Sequence, residues 1–255
     1  HGNQKMMDKL RRRVALRWAF RKARLVVGCS DATSRVVEEG LGLAPGTVHP
    51  IRNGVPERPG ERSRVRGELE LSDDELLIAA VGNVVPRKGH LLLLQALASL
   101  EDAGLDVPWR VAVAGAKRDA TPDIEALIAE RGWEGRVHLL GARDDVPHLL
   151  AAADVFSMPS LWEGLPLAVL EAMFAGLPIV ASRTSGIPEA ISSEEVGLLS
   201  TPGSVPELSE HLGAVLRDGD LRARLGAAAR ERALAEFTVS VMADRYLASY
   251  RGERA

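Results

Sequence analysis

Two glutamates lie at and inside a segment whose residue pattern predicts a helix. Pro166 suits the first helical turn because its φ is fixed and it has no N–H, while Gly176 and Pro178 are typical of a helix end. Glu163 is therefore expected in the loop before the helix, and Glu171 inside the helix among apolar neighbours. A carboxylate in apolar surroundings needs a hydrogen-bonding partner. A ribose diol would be a suitable one, which makes Glu171 a candidate binding residue.

The junction between this loop and the helix is a candidate anion site. The amides of Gly164, Leu165 and Leu167, around Pro166, would point out of the helix N-terminus. Hydrogen bonding and the helix macrodipole both favour a phosphate there. The spacing of the two glutamates is equally compatible with ordinary helix-end or surface carboxylates, so this segment alone leaves both interpretations open.

Glycine follows each of five predicted strands, and a basic residue stands in four of the five loops. These loops are residues 82–89, 115–118, 141–143, 159–164 and 182–186. The first contains Gly82, Asn83, Arg87 and Lys88, and the third contains Arg143. Because parallel strands end at one edge of a sheet, the loops should meet there. Close backbone approach beside cations is typical of an anion site.

The elements that would position these loops alternate regularly along the chain. Short, continuously apolar runs predict strands at Leu76 to Val81, Trp109 to Ala114, Val137 to Leu140, Val155 to Met158 and Pro178 to Ala181. Helix-length stretches follow at about 90–102, 122–132, 145–152, 166–175 and 186–192. Strands apolar on both faces suit a parallel sheet. The pattern therefore predicts an α/β fold with a doubly wound, Rossmann-like parallel sheet.

The ends of the chain have a different pattern from the middle. Ser30 is expected to cap a helix over 31–40, between short strands ending at Cys29 and spanning Val48 to Ile51. Residues 55–75 are rich in Pro, Gly, Arg and Glu and have no apolar period before Leu69, which predicts a linker. Residues 204–252 are typical of two or three helices.

Composition limits the classes of function. The chain has 255 residues, 46% hydrophobic, with a formal net charge of −3, so nucleic acid is not an expected partner. A single cysteine fits a reducing compartment. No Cys/His cluster or membrane-length apolar run occurs in the sequence. We expect a cytoplasmic protein without a metal or cofactor.

A basic segment opens the chain. Residues 5–24 hold nine Lys or Arg residues and one acid, with apolar residues interleaved. This pattern fits either a solvated helix face or a peripheral contact with anionic lipid at the inner face of a membrane. The first residue is His1 rather than Met, and we expect a fragment of a longer protein.

The segment from Glu163 to Met173 resembles the E-x7-E signature of retaining GT-B glycosyltransferases, in particular glycosyltransferase family 4. Further motifs agree with that family in order and spacing across nearly the whole chain. They are Cys29-Ser30, Ile51 to Val55, Gly82 to Gly89, Val137 to Gly141, Ala152 to Val155, Gly176 to Pro178 and Gly186-Ile187-Pro188-Glu189. Ordered matches of this number make the surface interpretation of the glutamates much less favoured.

The resemblance implies a domain organisation. Residues 1–54 would be the end of an N-terminal acceptor domain, 55–75 a linker, and 76–236 the nucleotide-sugar-binding domain. Residues 237–255 would form a helix that crosses back toward the N-terminal domain.

The resemblance also implies residue roles. Lys88 would contact the donor diphosphate, Glu163 would lie by the donor sugar, and Glu171 would bind the nucleotide ribose. The backbone from Gly164 through Leu165 and Pro166 to Leu167 would hold phosphate or sugar oxygens, and the glycine-rich stretch from Gly82 would approach the diphosphate. Arg143 would border the base.

One position departs from the family pattern, and another lies at the start of the chain. Asn83 stands where the family usually has an arginine, and Arg87 is the candidate to replace that charge. His1 falls where such enzymes carry a histidine-containing loop close to the reacting centre, and it is a candidate catalytic residue.

The function implied is transfer of a hexosyl group from a nucleoside diphosphate sugar to a lipid, polysaccharide or small glycoside, with retention of configuration. Two alternatives stay open. The chain would otherwise be a nucleotide-sugar-binding module without turnover, or a sugar-nucleotide epimerase of the same fold, which the E-x7-E spacing disfavours.

Overall fold

The computed structural model describes residues 13–253. An N-terminal segment, residues 13–54, starts with a helix at 13–22, here α1. Strand β1 (Val27–Gly28) pairs in parallel with β2 (His49–Pro50), and α2 (Asp31–Leu41) lies between them in sequence. Ser30 caps α2 as predicted, because its hydroxyl accepts the Thr33 amide. Within residues 13–253, no helix is both long and apolar enough to cross a lipid bilayer.

Residues 55–75, predicted as a linker, contain helix α3 (Arg62–Glu68), in which Val65 is fully buried and Arg66 nearly so. The guanidinium of Arg66 donates to the carbonyls of Ser72 and Glu75 and pairs with Asp154. The buried side chain of Val65 and the ion pair of Arg66 attach α3 to the domain. The composition of the segment is mostly polar, so the sequence did not predict this helix.

The main sheet consists of six parallel strands. They are β3 (Leu76–Val81), β4 (Trp109–Ala114), β5 (Val137–Gly141), β6 (Val155–Met158), β7 (Ile179–Ser182) and β8 (Leu198–Ser200). Their spatial order is β5-β4-β3-β6-β7-β8. The first five agree with the predicted runs to within one residue at each end. The sequence did not predict strand β8, because three residues are too few to show an apolar strand pattern.

Helices cover both faces of this sheet. They are α4 (His90–Asp102), α5 (Thr121–Arg131), α6 (Val146–Ala152), α7 (Leu167–Phe174), α8 (Ile187–Ala190), α9 (Val205–Arg217), α10 (Gly219–Glu236) and α11 (Val239–Arg251). Alternate residues of β3 enter two separate cores: Leu77 packs with α6 and α7, and Ile78 packs with α4 and α9. This confirms the doubly wound α/β architecture.

The last helix lies against the N-terminal segment. The Gly54 amide contacts the sulfur of Met242 at 3.2 Å, and a Cβ on Gly54 would lie 2.3 Å from the Thr238 carbonyl oxygen. A cavity of about 1010 Å³ opens between residues 24–51 and the end of α11, with Tyr250 in its wall. The last helix therefore packs against the N-terminal segment at this side of the molecule.

Candidate active site

The sheet has a switch point between β3 and β6. Chain connections run from β3 outward through β4 and β5 on one side, and from β6 through β7 and β8 on the other. Ligands of open α/β sheets bind in the crevice that such a reversal leaves at the carboxyl ends of the strands. The two loops at this crevice are residues 82–89, here the lysine loop, and residues 159–166, here the glutamate loop.

The lysine loop is held against the glutamate loop by backbone contacts. It ends in a short 3-10 turn at Pro86–Lys88, followed by Gly89 with φ of 70°. A Cβ on Gly89 would lie 2.0 Å from the carbonyl oxygen of Pro159, so only glycine fits. The amide of Leu161 donates to the Arg87 carbonyl at 2.8 Å. The two loops are thus fixed relative to each other.

Gly82 and His90 place the lysine side chain. A Cβ on Gly82, whose φ is 152°, would lie 3.1 Å from Cε of Lys88, so the glycine leaves room for that side chain. The His90 Nε2 lies 3.1 Å from the Gly82 carbonyl oxygen and must carry the proton, since a carbonyl only accepts. Burial lowers the pKa of His90, and the charge of Lys88 lowers it further.

Lys88 and Glu163 meet in the crevice. Nζ of Lys88 lies 2.7 Å from Oε1 of Glu163, and the Arg87 guanidinium lies 3.6 Å from the same oxygen. Only 6% of Glu163 is exposed. The two cations hold the buried Glu163 carboxylate in the crevice. A carboxylate accepts several hydrogen bonds, so Glu163 can also accept one from a ligand hydroxyl.

The glutamate loop is also tied to the loop after β7, residues 183–186, here the serine loop. The Glu163 amide donates to Oγ of Ser185 at 3.2 Å, and the Gly186 amide donates to the Gly164 carbonyl at 2.8 Å. Ser185 has a φ of 51°, which is uncommon for a residue other than glycine. Residues with such backbone angles cluster at functional sites.

The junction with α7 has the predicted free amides. Pro166 is the N-cap, with φ of −73° and ψ of 126°, so the helix begins one residue later than predicted. Among residues 13–253, the amides of Gly164 and Leu165 have no hydrogen-bond acceptor. Leu165 is buried and its carbonyl accepts the Asn53 side chain at 2.9 Å, while Leu167 is half exposed. The junction therefore presents N–H donors beside Glu163.

Glu171 lies apart from this ion pair. It is half-buried on α7, and burial raises its pKa, which the charge of Arg58 partly offsets. It lines a small cavity with Arg58, the start of α6 and the end of α7. No hydrogen bond or ion pair in the described residues joins it to Lys88 or Glu163. The structure thus brings together two of the three predicted side chains, and the ribose role of Glu171 stays a prediction.

Asn83 and Arg143 have other partners. The Asn83 side-chain oxygen accepts the Ala116 amide at 3.1 Å, which fastens the lysine loop to the loop after β4. Arg143 donates through Nε and both terminal nitrogens to Asp145 and Glu68, at 2.6–2.8 Å. These bonds raise the pKa of Arg143 and lower that of Asp145 to about 2. Four of the five N–H donors of Arg143 are therefore used within the protein, and its contact with a base stays a prediction.

The candidate catalytic residue His1 lies outside the described residues. Between residues 13 and 253, no group of three or more His, Cys, Asp or Glu side chains is arranged to hold a metal ion.

Several residues that shape the site were not predicted. Asn53 and Ser185 hold the glutamate loop from two sides, and His90 holds Gly82. His90 is buried at the start of α4. The sequence places His90 directly after Lys88-Gly89. A buried side-chain donor at this position can reach a carbonyl oxygen of the preceding loop, and this was the available indication. Asn53 and Ser185 belong to turns distant in sequence, and nothing local indicates their contacts.

Curated relatives share sequence with most of this chain. The chain is 33% identical over 210 residues to 2-deoxystreptamine glucosyltransferase of Streptomyces kanamyceticus, covering 79% of this chain and 54% of that protein. It is 33% identical over 196 residues to D-inositol 3-phosphate glycosyltransferase of Corynebacterium glutamicum, covering 75% of this chain and 46% of that protein. The chain thus spans about half the length of these relatives.

Solved structures share the fold. Anabaena Alr3699/HepE in complex with UDP superposes with a TM-score of 0.86 at 26% identity, covering 96% of this chain and 68% of that one. Sucrose-phosphate synthase of Thermosynechococcus elongatus gives a TM-score of 0.82 at 26% identity, covering 94% of this chain and 61% of that one. Both likenesses extend over the N-terminal segment as well as the main sheet.

A family model gives the assignment. The model described as "Glycosyl transferases group 1" matches residues 61–232, which include α3, the whole main sheet and the three loops of the crevice. The match covers more than half of the chain and confirms the family resemblance read from the E-x7-E segment. The chain belongs to the glycosyl transferases group 1 family, with a GT-B-type Rossmann-like domain.

Proposed function

We propose that this chain carries the donor-binding part of a retaining glycosyltransferase that moves a hexosyl group from a nucleoside diphosphate sugar to an acceptor. The observation that carries the proposal is the buried pair of Lys88 and Glu163 at the switch point of the sheet. A cation, free amides and a buried carboxylate together suit a diphosphate and a sugar. The relatives support this proposal: one is named a glucosyltransferase, and HepE has been solved in complex with UDP-glucose.

The proposed chemistry separates charge within this crevice. As the bond between the anomeric carbon and the diphosphate oxygen breaks, negative charge develops on the diphosphate and positive charge on the sugar. Lys88 and the amides of Gly164 and Leu165 would stabilise the diphosphate, because fixed donors in a site with little water act strongly on developing charge. Glu163 would orient the sugar and offset its positive charge. Lys88 thus exchanges a carboxylate partner for a phosphate when the donor binds.

The test compares two lysines. Lys88→Ala should lower turnover of the nucleotide sugar by about 10²–10³, the usual effect of losing one such charge contact. Lys117→Ala is the control, because Lys117 is half exposed in the neighbouring loop and pairs with Glu125, which is half exposed as well. Steady-state rates of donor hydrolysis or transfer provide the measurement. Equal rates for the two variants would remove Lys88 from the mechanism.

A second candidate is a nucleotide-sugar-binding module without turnover, because the crevice residues could hold a donor without a transfer step. Thermal shift with UDP, GDP and ADP separates the candidates when it is combined with a hydrolysis assay. Stabilisation together with turnover supports the transferase, and stabilisation alone supports the module. If no nucleotide stabilises the chain, both are wrong. The family assignment favours transfer over the epimerase alternative.

Two finer parts of the proposal have direct measurements. NMR of the anomeric proton of the product distinguishes retention from inversion. We propose that the protein's own cations neutralise the diphosphate, so that activity persists in EDTA. Full loss in EDTA with recovery on adding a divalent cation would contradict this part.

A further inference from the structure

Glu189 of α8 connects the main domain to the N-terminal segment. Its Oε2 accepts the amide of Asp31 at 3.0 Å, and its Oε1 accepts the amide of Ala32 at 2.9 Å. These are first-turn amides of α2, which have no partner inside their own helix. The carboxylate is mostly buried, with 12% of its side chain exposed. A charged acceptor on a helix N-terminus makes strong hydrogen bonds.

Arg52 completes the connection. Its Nε donates to Glu189 at 3.1 Å, and a terminal nitrogen donates to Asp31 at 3.0 Å. The other terminal nitrogen lies 3.5 Å from Glu236 of α10. On the far side, Arg232 of α10 donates to the main-chain oxygen of Glu189. Glu189 therefore lies at the centre of a network that spans α2, α8 and α10.

The network sets how closely the N-terminal segment approaches the glutamate loop. A Cβ on Gly164 would lie 3.0 Å from Sγ of Cys29, and a Cβ on Gly186 would lie 2.8 Å from Cβ of Ser30. Both glycines thus face the residues directly before α2. Gly164 is the neighbour of Glu163, and its carbonyl accepts the Gly186 amide. Movement of α2 would be transmitted to the glutamate loop through these contacts.

We propose that Glu189 is a positioning residue, which fixes the N-terminal segment against the glutamate loop and so places Glu163 for the reaction. This inference rests on the proposed function. Glu189 makes no contact with Lys88 or with the free amides of the glutamate loop. Its loss should therefore change the reaction step more than the binding of the nucleotide.

The test compares Glu189→Ala with Glu75→Ala in the full chain. Glu75 is the matched control: it has 17% side-chain exposure, pairs with Arg110 and accepts the Ser72 amide, far from the crevice. Glu189→Ala should lower kcat by about 10-fold to 100-fold, as small misplacements do, with the donor KM within about threefold. Glu75→Ala should change neither constant by more than about twofold.

Hydrogen exchange supplies a readout that does not need turnover. In Glu189→Ala, the amide of Gly186, which reports on the glutamate loop, should exchange at least about tenfold faster than in Glu75→Ala. If only Asp31 and Ala32 exchange faster, and kcat matches the control, Glu189 is a structural contact alone and the proposal is wrong. If the alanine variant does not fold, Glu189→Gln, which keeps the volume and one acceptor, is compared with Glu75→Gln under the same criteria. If the wild-type chain shows no turnover, the proposed function fails, and the Gly186 exchange still decides the positioning role.

Discussion

The carboxyl group of Glu171 is half-buried, which disfavours its charged form, and it is also the predicted hydrogen-bond acceptor for a ribose. Burial raises the pKa of this carboxyl because the charged form loses hydration, and Arg58 only partly offsets the effect. The folded-state pKa therefore lies above that of the unfolded chain. The native state binds more protons in the interval between the two values, so stability falls as pH rises through that interval. A residue kept charged at a cost to stability is typical of a binding site.

Replacing Glu171 by Gln should separate these effects. We expect Glu171→Gln to raise Tm at about pH 8 and to leave it unchanged at about pH 3, where both states of the wild type are protonated. Nucleotide affinity should fall about tenfold, because a charged acceptor is lost. Calorimetry of unfolding and of binding provides both quantities. Glu130→Gln, on the exposed side of α5, is the control, and unchanged affinity in Glu171→Gln would contradict the ribose role.

At the level of elements, α3 shows how an apparently unstructured segment is attached to a domain. Arg66 is almost fully buried and reaches the carbonyls after α3 as well as Asp154. Asp154 in turn accepts the Leu77 amide at the start of β3. One ion pair thus links α3, the turn before β6 and the first strand of the main sheet.

We expect Arg66→Ala to lower the free energy of unfolding by about 2–4 kcal/mol, because it leaves buried acceptors and a carboxylate without a partner. Arg62 pairs with the same Asp154 but its side chain is 51% exposed, so Arg62→Ala should cost less than about 1 kcal/mol. Urea unfolding measures both. Two equally small effects would mean that the Arg66 contacts contribute little to holding α3 on the main sheet.

At the scale of the whole molecule, α1 presents large apolar side chains to solvent among cations. Val14 and Trp18 are 61% and 66% exposed, beside Arg13, Arg17 and Arg21. The basic residues of the predicted segment between positions 5 and 12 lie outside the described residues. Exposed aromatic and aliphatic side chains among cations have the chemistry of a peripheral contact with anionic lipid. We propose this contact for α1.

The membrane proposal predicts binding to vesicles that depends on charge. Replacing Arg13, Arg17 and Arg21 by Gln should weaken cosedimentation with phosphatidylserine vesicles by about 100-fold, at about 1 kcal/mol per charge. A control with Arg118, Arg183 and Arg224 replaced by Gln changes net charge equally on other exposed surfaces. Loss of binding in both variants would indicate general attraction, and absence of binding by the wild type at low salt would contradict the proposal.

The sequence by itself determined the main sheet and the loops that carry the site. Strands such as Leu76–Val81 are apolar on both faces, and this local pattern identifies them wherever they lie in the chain. The parallel order also places their carboxyl ends together, so the lysine and glutamate loops were predicted to meet. The two charges pair at 2.7 Å. The order of the motifs along the chain also indicated the family, which the match over residues 61–232 confirms.

Only the tertiary structure decided the contacts between segments far apart in sequence. Arg143 had the residue type of a binding residue, yet Glu68 and Asp145 use its donors. Glu189 and Asn53 acquire their roles from α2 and the glutamate loop, more than 100 positions away. Helix α3 is stable because Asp154 and the main sheet lie next to it. Periodicity reports which face of an element is apolar, whereas the partner of a polar side chain depends on how the elements pack.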